Sequence, residues 1–183
     1  MRLYRQTVED FSLCAGLEMD DAQLDKLRTA AGQMSAKMRA VRIVSVSSIS
    51  KKELQRRLVQ KGEDPQQAQE AVQWMSDLDL LDDAKTAEQI VHSCIRKGYG
   101  LARAKQALYE KRIPKEYWEA ALEDYPEQED KILEFLRARL SADADEKAVK
   151  RAIDALLRRG HNYGQIKRGL EQLSLNAEEF PED

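Results

Sequence analysis

The sequence predicts an all-α fold: tandem repeats of three-helix units forming an elongated, curved array, with a short N-terminal extension patterned in part for a strand. Three observations carry this. The 183-residue chain is 42% hydrophobic and 34% charged, with only 8 Gly and 4 Pro, a balance that favours helix over sheet in an ordered chain. A short pattern then recurs, with Ser48–Leu58 (SISKKELQRRL) aligning on Gly98–Leu108 (GYGLARAKQAL) and on Gly160–Leu170 (GHNYGQIKRGL), at offsets of 50 and 62 residues. Finally, each copy holds an apolar pair four residues apart: Leu54 and Leu58, Ala104 and Leu108, Ile166 and Leu170. At 100° per residue each pair shares one helix face, so each copy reads as an amphipathic anchor helix.

Taken in order, residues 1–32 form the extension. Leu3–Leu13 (LYRQTVEDFSL) mixes β-branched and aromatic residues with partial alternation, a strand pattern, and Asp20 is placed to cap a helix over about Asp21 to Ala31. Unit 1, residues 33–81, opens with Met34, Met38, Val41 and Val44 at helical spacing. Its anchor helix starts at a Ser50-x-x-Glu53 capping box and stops at Gly62. Asp64-Pro65 starts its third helix, through Ala68, Val72 and Met75.

Unit 2, residues 82–125, repeats that order. Asp82 or Asp83 caps a helix bearing Ile90, Val91, Cys94 and Ile95, RKGYG turns the chain, the anchor helix follows, and Pro114 opens a helix with Tyr117, Trp118, Ala121 and Leu122. Residues 126–183 supply an extra helix over about Glu127 to Leu140 and then unit 3. Asp143 and Glu146 start the first helix of that unit, RRGHNYG turns, and the last anchor helix follows. Phe180 falls 62 residues after Trp118, so Ser174–Phe180 reads as the beginning of a last helix cut short by Pro181.

Several classes of function find no support in the sequence. Cys14 and Cys94 are too few and too far apart for a disulfide framework or metal cluster, and no apolar run reaches membrane-spanning length. Without a signal-peptide layout the chain is expected in the cytoplasm, as a monomer. His92 and Cys94, two residues apart, point about 200° apart on a helix and cannot share a metal. His161 reads as an exposed turn residue without metal-ligand neighbours. No phosphate-binding loop or nucleophile elbow is present, so neither catalysis nor a cofactor is expected. Trp74, Trp118 and Phe180 recur near the unit ends and suit core packing better than base stacking.

The basic residues are the feature with functional content. Lys52, Arg56, Arg57 and Lys61 belong to the first anchor segment, Arg96, Lys97, Arg103 and Lys105 to the second, and Arg158, Arg159, Lys167 and Arg168 to the third. The net charge is only −3, so any basic surface is a segregated one. Stacked repeats would bring the three clusters to one side, forming a surface suited to nucleic acid or to an acidic groove on a partner.

In order and spacing, Ser50-Lys-Lys-Glu53-Leu54 with Leu58 and Lys61-Gly62, then DLLDD at Asp79–Asp83, then RKGYG at Arg96–Gly100 with Leu108, resemble the RecX family of recombinase regulators. The resemblance covers roughly Gln33 to Phe180. It implies tandem three-helix units that bind the RecA–DNA filament groove without catalysis, limiting ATPase, strand-exchange and coprotease activities in homologous recombination, DNA repair and the SOS response. The twelve cations named above are then the expected filament or DNA contacts. The N-terminal segment resembles the tail of the β-containing region of longer members. Two other readings of the residues stay open: a helix-turn-helix module binding DNA directly, and a helical-repeat scaffold for a protein partner.

Overall fold

The computed structural model describes residues 3–141 and 144–173, and among them it contains α-helices, one 3₁₀ turn and no strand. The chain divides into two bodies, Met1–Thr86 and Ala87–Asp183.

In the N-terminal body, α1 (Arg5–Asp10) and α2 (Asp21–Val44) precede the anchor helix α3 (Lys51–Gln60) and α4 (Pro65–Asp77). The expected strand at Leu3–Leu13 is replaced by α1. A lone strand would leave its backbone groups unpaired, whereas a helix satisfies its own. Pairs four apart support the helix, Arg5 Nε to Glu9 at 2.7 Å and Gln6 to Asp10 at 2.8 Å, and Thr7 is buried.

The break expected near Gly32 is also absent. Helix α2 runs unbroken through it, starting from a capping box of Asp20 with Gln23. Leu27, Ala31, Ala36, Ala40 and Ile43 make one buried stripe across the glycine. A glycine inside a helix costs about 1 kcal/mol, which a continuous buried face outweighs. The Gln67 carboxamide lies where a Cβ on residue 32 would stand. Leu54 and Leu58 of α3, both fully buried, meet Ala36, Ala40, Ala68, Ala71 and Met75 in one core. Trp74 packs on that core with Lys37 over its ring at 5.4 Å, and so serves packing as expected.

Helix α5 (Asp83–Arg96) leads into the C-terminal body, which continues with the anchor helix α6 (Leu101–Glu110), the 3₁₀ turn Lys115–Tyr117 and α7 (Trp118–Leu122). Then come α8 (Glu129–Arg137), α9 (Glu146–Arg158) and the last anchor helix α10 (Tyr163–Gln172). Ala87, Val91, Leu108 and Ile113 form one core, flanked by Trp118, whose indole N–H donates to the Ile113 carbonyl at 3.0 Å. Ile132, Leu136, Ile153, Leu156, Ile166 and Leu170 form another. Asp145, rather than Asp143, caps α9 by accepting from the Ala148 amide at 2.7 Å. Asp143 lies outside the described residues, as do Ser174–Phe180 and the last helix expected there.

The three anchor helices are each ten residues long and share one register. Ser50, Gly100 and Asn162 stand at their N-caps, and all three apolar pairs are at most 1% exposed. Their N-termini are satisfied differently. Ser50 accepts from the Glu53 amide, while the Asp83 carboxylate reaches back to the Lys51 amide at 2.9 Å. Asp82 takes the capping role at α5, accepting from the Lys85 amide at 3.0 Å. Asn162 forms a full capping box with Gln165.

Gly100 has no side chain to give, and the neighbouring repeat supplies the acceptors. The Gly100 amide donates to the Arg159 carbonyl at 2.9 Å and the Ala102 amide to the Gly160 carbonyl at 3.2 Å. The approach is close enough to require glycine on both sides. A Cβ on Gly100 would stand 2.1 Å from the Gly160 oxygen, and one on Gly160 would stand 2.2 Å from the Arg103 nitrogen. Gly160, at φ +88°, also ends α9 in a Schellman turn, with the His161 amide donating to the Leu156 carbonyl.

A comparison of two glycines separates backbone preference from docking. Gly62 ends α3 at φ +90° with open space around it, so Gly62→Ala should cost about 1–2 kcal/mol from the left-handed conformation alone. Gly160→Ala should cost more, about 3 kcal/mol or above, because its Cβ meets backbone as well. Urea unfolding of the two variants checks the order.

Candidate functional site

The structure places the twelve predicted cations in two settings, one in each body. In the N-terminal body, Lys52, Arg56, Arg57 and Lys61 follow α3 to its C-cap. Arg56 and Arg57 are not free solvated charges. Glu53, with its side chain 8% exposed, accepts from Arg56 Nε and Nη2 at 2.7 Å each and from Arg57 Nε at 2.9 Å. The Arg56 hydrogen bond holds the Glu53 carboxyl at about 2, well below its ordinary 4.5, with Arg57 adding to the effect and burial opposing it. Lys52 and Lys61 are exposed.

Two further arginines, Arg39 and Arg42, come from α2. Arg39 Nε pairs with the buried Glu63 at 2.6 Å, and its Nη1 donates to the Lys61 carbonyl at 3.1 Å. Ser35 also donates to Glu63, at 3.0 Å. Arg39 and Arg42 join Arg57 and Lys61 in lining a cleft of about 480 Å³ between α2 and α3. The signal was the spacing: Ser35, Arg39 and Arg42 recur at four and three residues along one face of α2.

In the C-terminal body the second and third clusters meet at the docked glycine turns. Arg96 and Lys97 end α5, Arg158 and Arg159 end α9, and Arg103 stands against Gly160. Arg96, Lys97, Lys105 and Arg158 are exposed, and Lys167 is half-buried. Arg103 is held by Glu110 at 3.0 Å, and Arg168 by Glu127 and Glu129. The Arg159 guanidinium lies 4.8 Å from the Phe135 ring centroid and 6.0 Å from that of Tyr99. These three cations therefore also serve packing or surface pairing within the body.

His161, expected to be exposed, is 4% exposed. Its Nε2 bonds to the Gly98 carbonyl at 3.1 Å, adding a third link between the turns, while the buried Nδ1 has no hydrogen-bond partner. Burial, followed by the nearby Arg159 charge, holds the His161 pKa below the ordinary 6.5 despite the opposing Gly98 bond. Its role is to join two turns. His92 is exposed and Cys94 buried, and burial pushes the Cys94 thiol up, away from the thiolate form a nucleophile needs. No group of three or more His, Cys, Asp or Glu able to hold a metal occurs among the described residues. No described helix is long and apolar enough to cross a membrane.

Comparisons with known proteins agree with this architecture. The family model for the second three-helix domain of RecX matches residues 82–122. The regulatory protein RecX of Stenotrophomonas maltophilia is 30% identical over 122 residues, covering 65% of this chain and 75% of that protein. That of Vibrio campbellii is 26% identical over 145 residues, covering 75% of this chain and 90% of that one. The crystal structure of RecX from Lactobacillus salivarius superposes with a TM-score of 0.67 at 24% identity, covering 79% of this chain and 98% of that one, a likeness of fold.

Two of the buried titratable groups, Glu53 and His161, give acid sensitivity of known sign. Glu53 ionises more readily in the folded chain, so its contribution is complete above pH 4.5 and is lost as pH falls toward about 2, a loss of at most about 3 kcal/mol. The unfolded chain protonates His161 first, so stability of the C-terminal body begins to fall as pH drops below 6.5. Urea unfolding across this range should show both losses, and His161→Gln should remove the earlier one.

Proposed function

The chain belongs to the RecX family of regulatory proteins, and we propose that it regulates the RecA recombinase by binding the RecA–DNA filament rather than by catalysis. One observation carries the reading. The second and third repeats dock through their glycine turns, which supports the reading because the exposed Arg96, Lys97 and Arg158 flank those turns and Lys105 follows on α6. A rigid array of charges facing a polyanionic filament loses little conformational entropy on binding. Occupation of the groove would then hinder the subunit motions that couple ATP hydrolysis to filament remodelling, limiting ATPase and strand exchange.

The paired and unpaired cations should behave differently. Lys97, Lys105 and Arg158 are exposed, so their joint replacement by Ala should leave the fold intact and weaken the effect on RecA by about tenfold or more. Arg56→Ala should instead lower stability, because it strips a partner from the buried Glu53. The measurement is the ATPase rate of RecA on single-stranded DNA with increasing amounts of each protein. Unchanged ATPase at excess wild-type protein would overturn the reading.

A further inference from the structure

The cleft between α2 and α3 concentrates more positive charge than its ion pairs neutralise. Arg39, Arg42, Arg57 and Lys61 line it, and the nearby counter-charges are Glu63, paired with Arg39, and Glu53, shared by Arg57 and Arg56. Arg42 and Lys61 have no ion-pair or side-chain hydrogen-bond partner among the described residues. Bringing such like charges together is unfavourable unless something anionic joins them.

The two paired arginines are aimed. Glu63 and Glu53, each less than a tenth exposed, grip Arg39 and Arg57 through Nε. That leaves both Nη groups of Arg57 and the Nη2 of Arg39, whose Nη1 donates to the Lys61 carbonyl, as donors suited to phosphate oxygens. The same cleft has an apolar wall of Tyr4, Ile43 and Val46, and its volume lies within the range of about 300–1,000 Å³ common for ligand sites. We propose that this cleft is a nucleotide site, with the phosphate among Arg39, Arg42, Arg57 and Lys61 and the nucleoside along Tyr4, Ile43 and Val46.

Arg57 and Lys61 are also among the expected filament or DNA contacts, so the test of the cleft contains no recombinase and is read apart from filament regulation. Isothermal titration calorimetry at low salt would use thymidine, thymidine monophosphate and a short oligothymidylate as probes. The phosphate-bearing probes should bind the wild-type chain and thymidine should not. Arg42→Ala with Lys61→Ala should weaken binding by at least about tenfold, since each lost charge-assisted contact removes a substantial share of affinity. Thermal unfolding of this variant should match wild type, and Arg42→Glu provides a second, charge-reversing route to the same loss. Lys97→Ala with Lys105→Ala, in the other body, should leave binding of the monophosphate unchanged. Binding of the monophosphate identifies a free nucleotide as the ligand, and binding of the oligomer alone identifies a nucleotide unit of a strand. Absence of binding by both phosphate probes, or equal binding by the Arg42/Lys61 variant, overturns the site.

Discussion

A helix that begins without a capping side chain must find acceptors for its first amides elsewhere, and this requirement organises the C-terminal body. Helix α6 begins at Gly100 and takes its acceptors from the Arg159 and Gly160 carbonyls. Removing the side chain at residue 100 creates the need, and removing those at 100 and 160 creates the room. Once the turns are in contact, His161 reaches Gly98, Arg103 lies against Gly160, and Arg159 is carried to Phe135 and Tyr99. The core pairs Ala104–Leu108 and Ile166–Leu170 provide the apolar burial, but the backbone bonds set which surfaces of the two repeats share a side.

The first repeat meets the same need by other means. The Asp83 carboxylate accepts from the Lys51 amide, so a residue at the beginning of α5 completes the beginning of α3. In both bodies an anchor helix is therefore finished by a distant part of the chain. This makes each of them a cooperative object rather than a set of independent helices.

Much of this was legible in the sequence, for local reasons. The register and buried pairs of the three anchor helices, and the Ser50 cap of the first, follow from side-chain spacing and capping chemistry, which act within one or two turns; the starts at Gly100 and Asn162 were not singled out. The continuity of α2 through Gly32 was not legible, because it is decided by a buried stripe packed on another helix. Nor was α1, whose six residues carry too little pattern to separate helix from strand. Among the candidate site residues, positions were legible and partners were not. Glu53 with Arg56 and Arg57 is a local arrangement readable at three and four residues, yet Arg39 with Glu63, Arg168 with Glu127, and the burial of His161 depend on contacts far apart in sequence. The partially alternating Leu3–Leu13 segment illustrates the limit: short-period patterns lose meaning where no second strand is available.

The carboxylates beneath the arginines divide the positive surface into two kinds of charge. Those gripped by Glu53 and Glu63 are tied to the interior, and any change in them is felt as a change in stability before it is felt by a partner. Exposed cations such as Lys52, Lys97 and Lys105 carry no such obligation. The molecule therefore carries a fixed frame of charge and a tunable fringe, so substitutions at the exposed positions can change affinity for a partner while the fold that presents them stays the same.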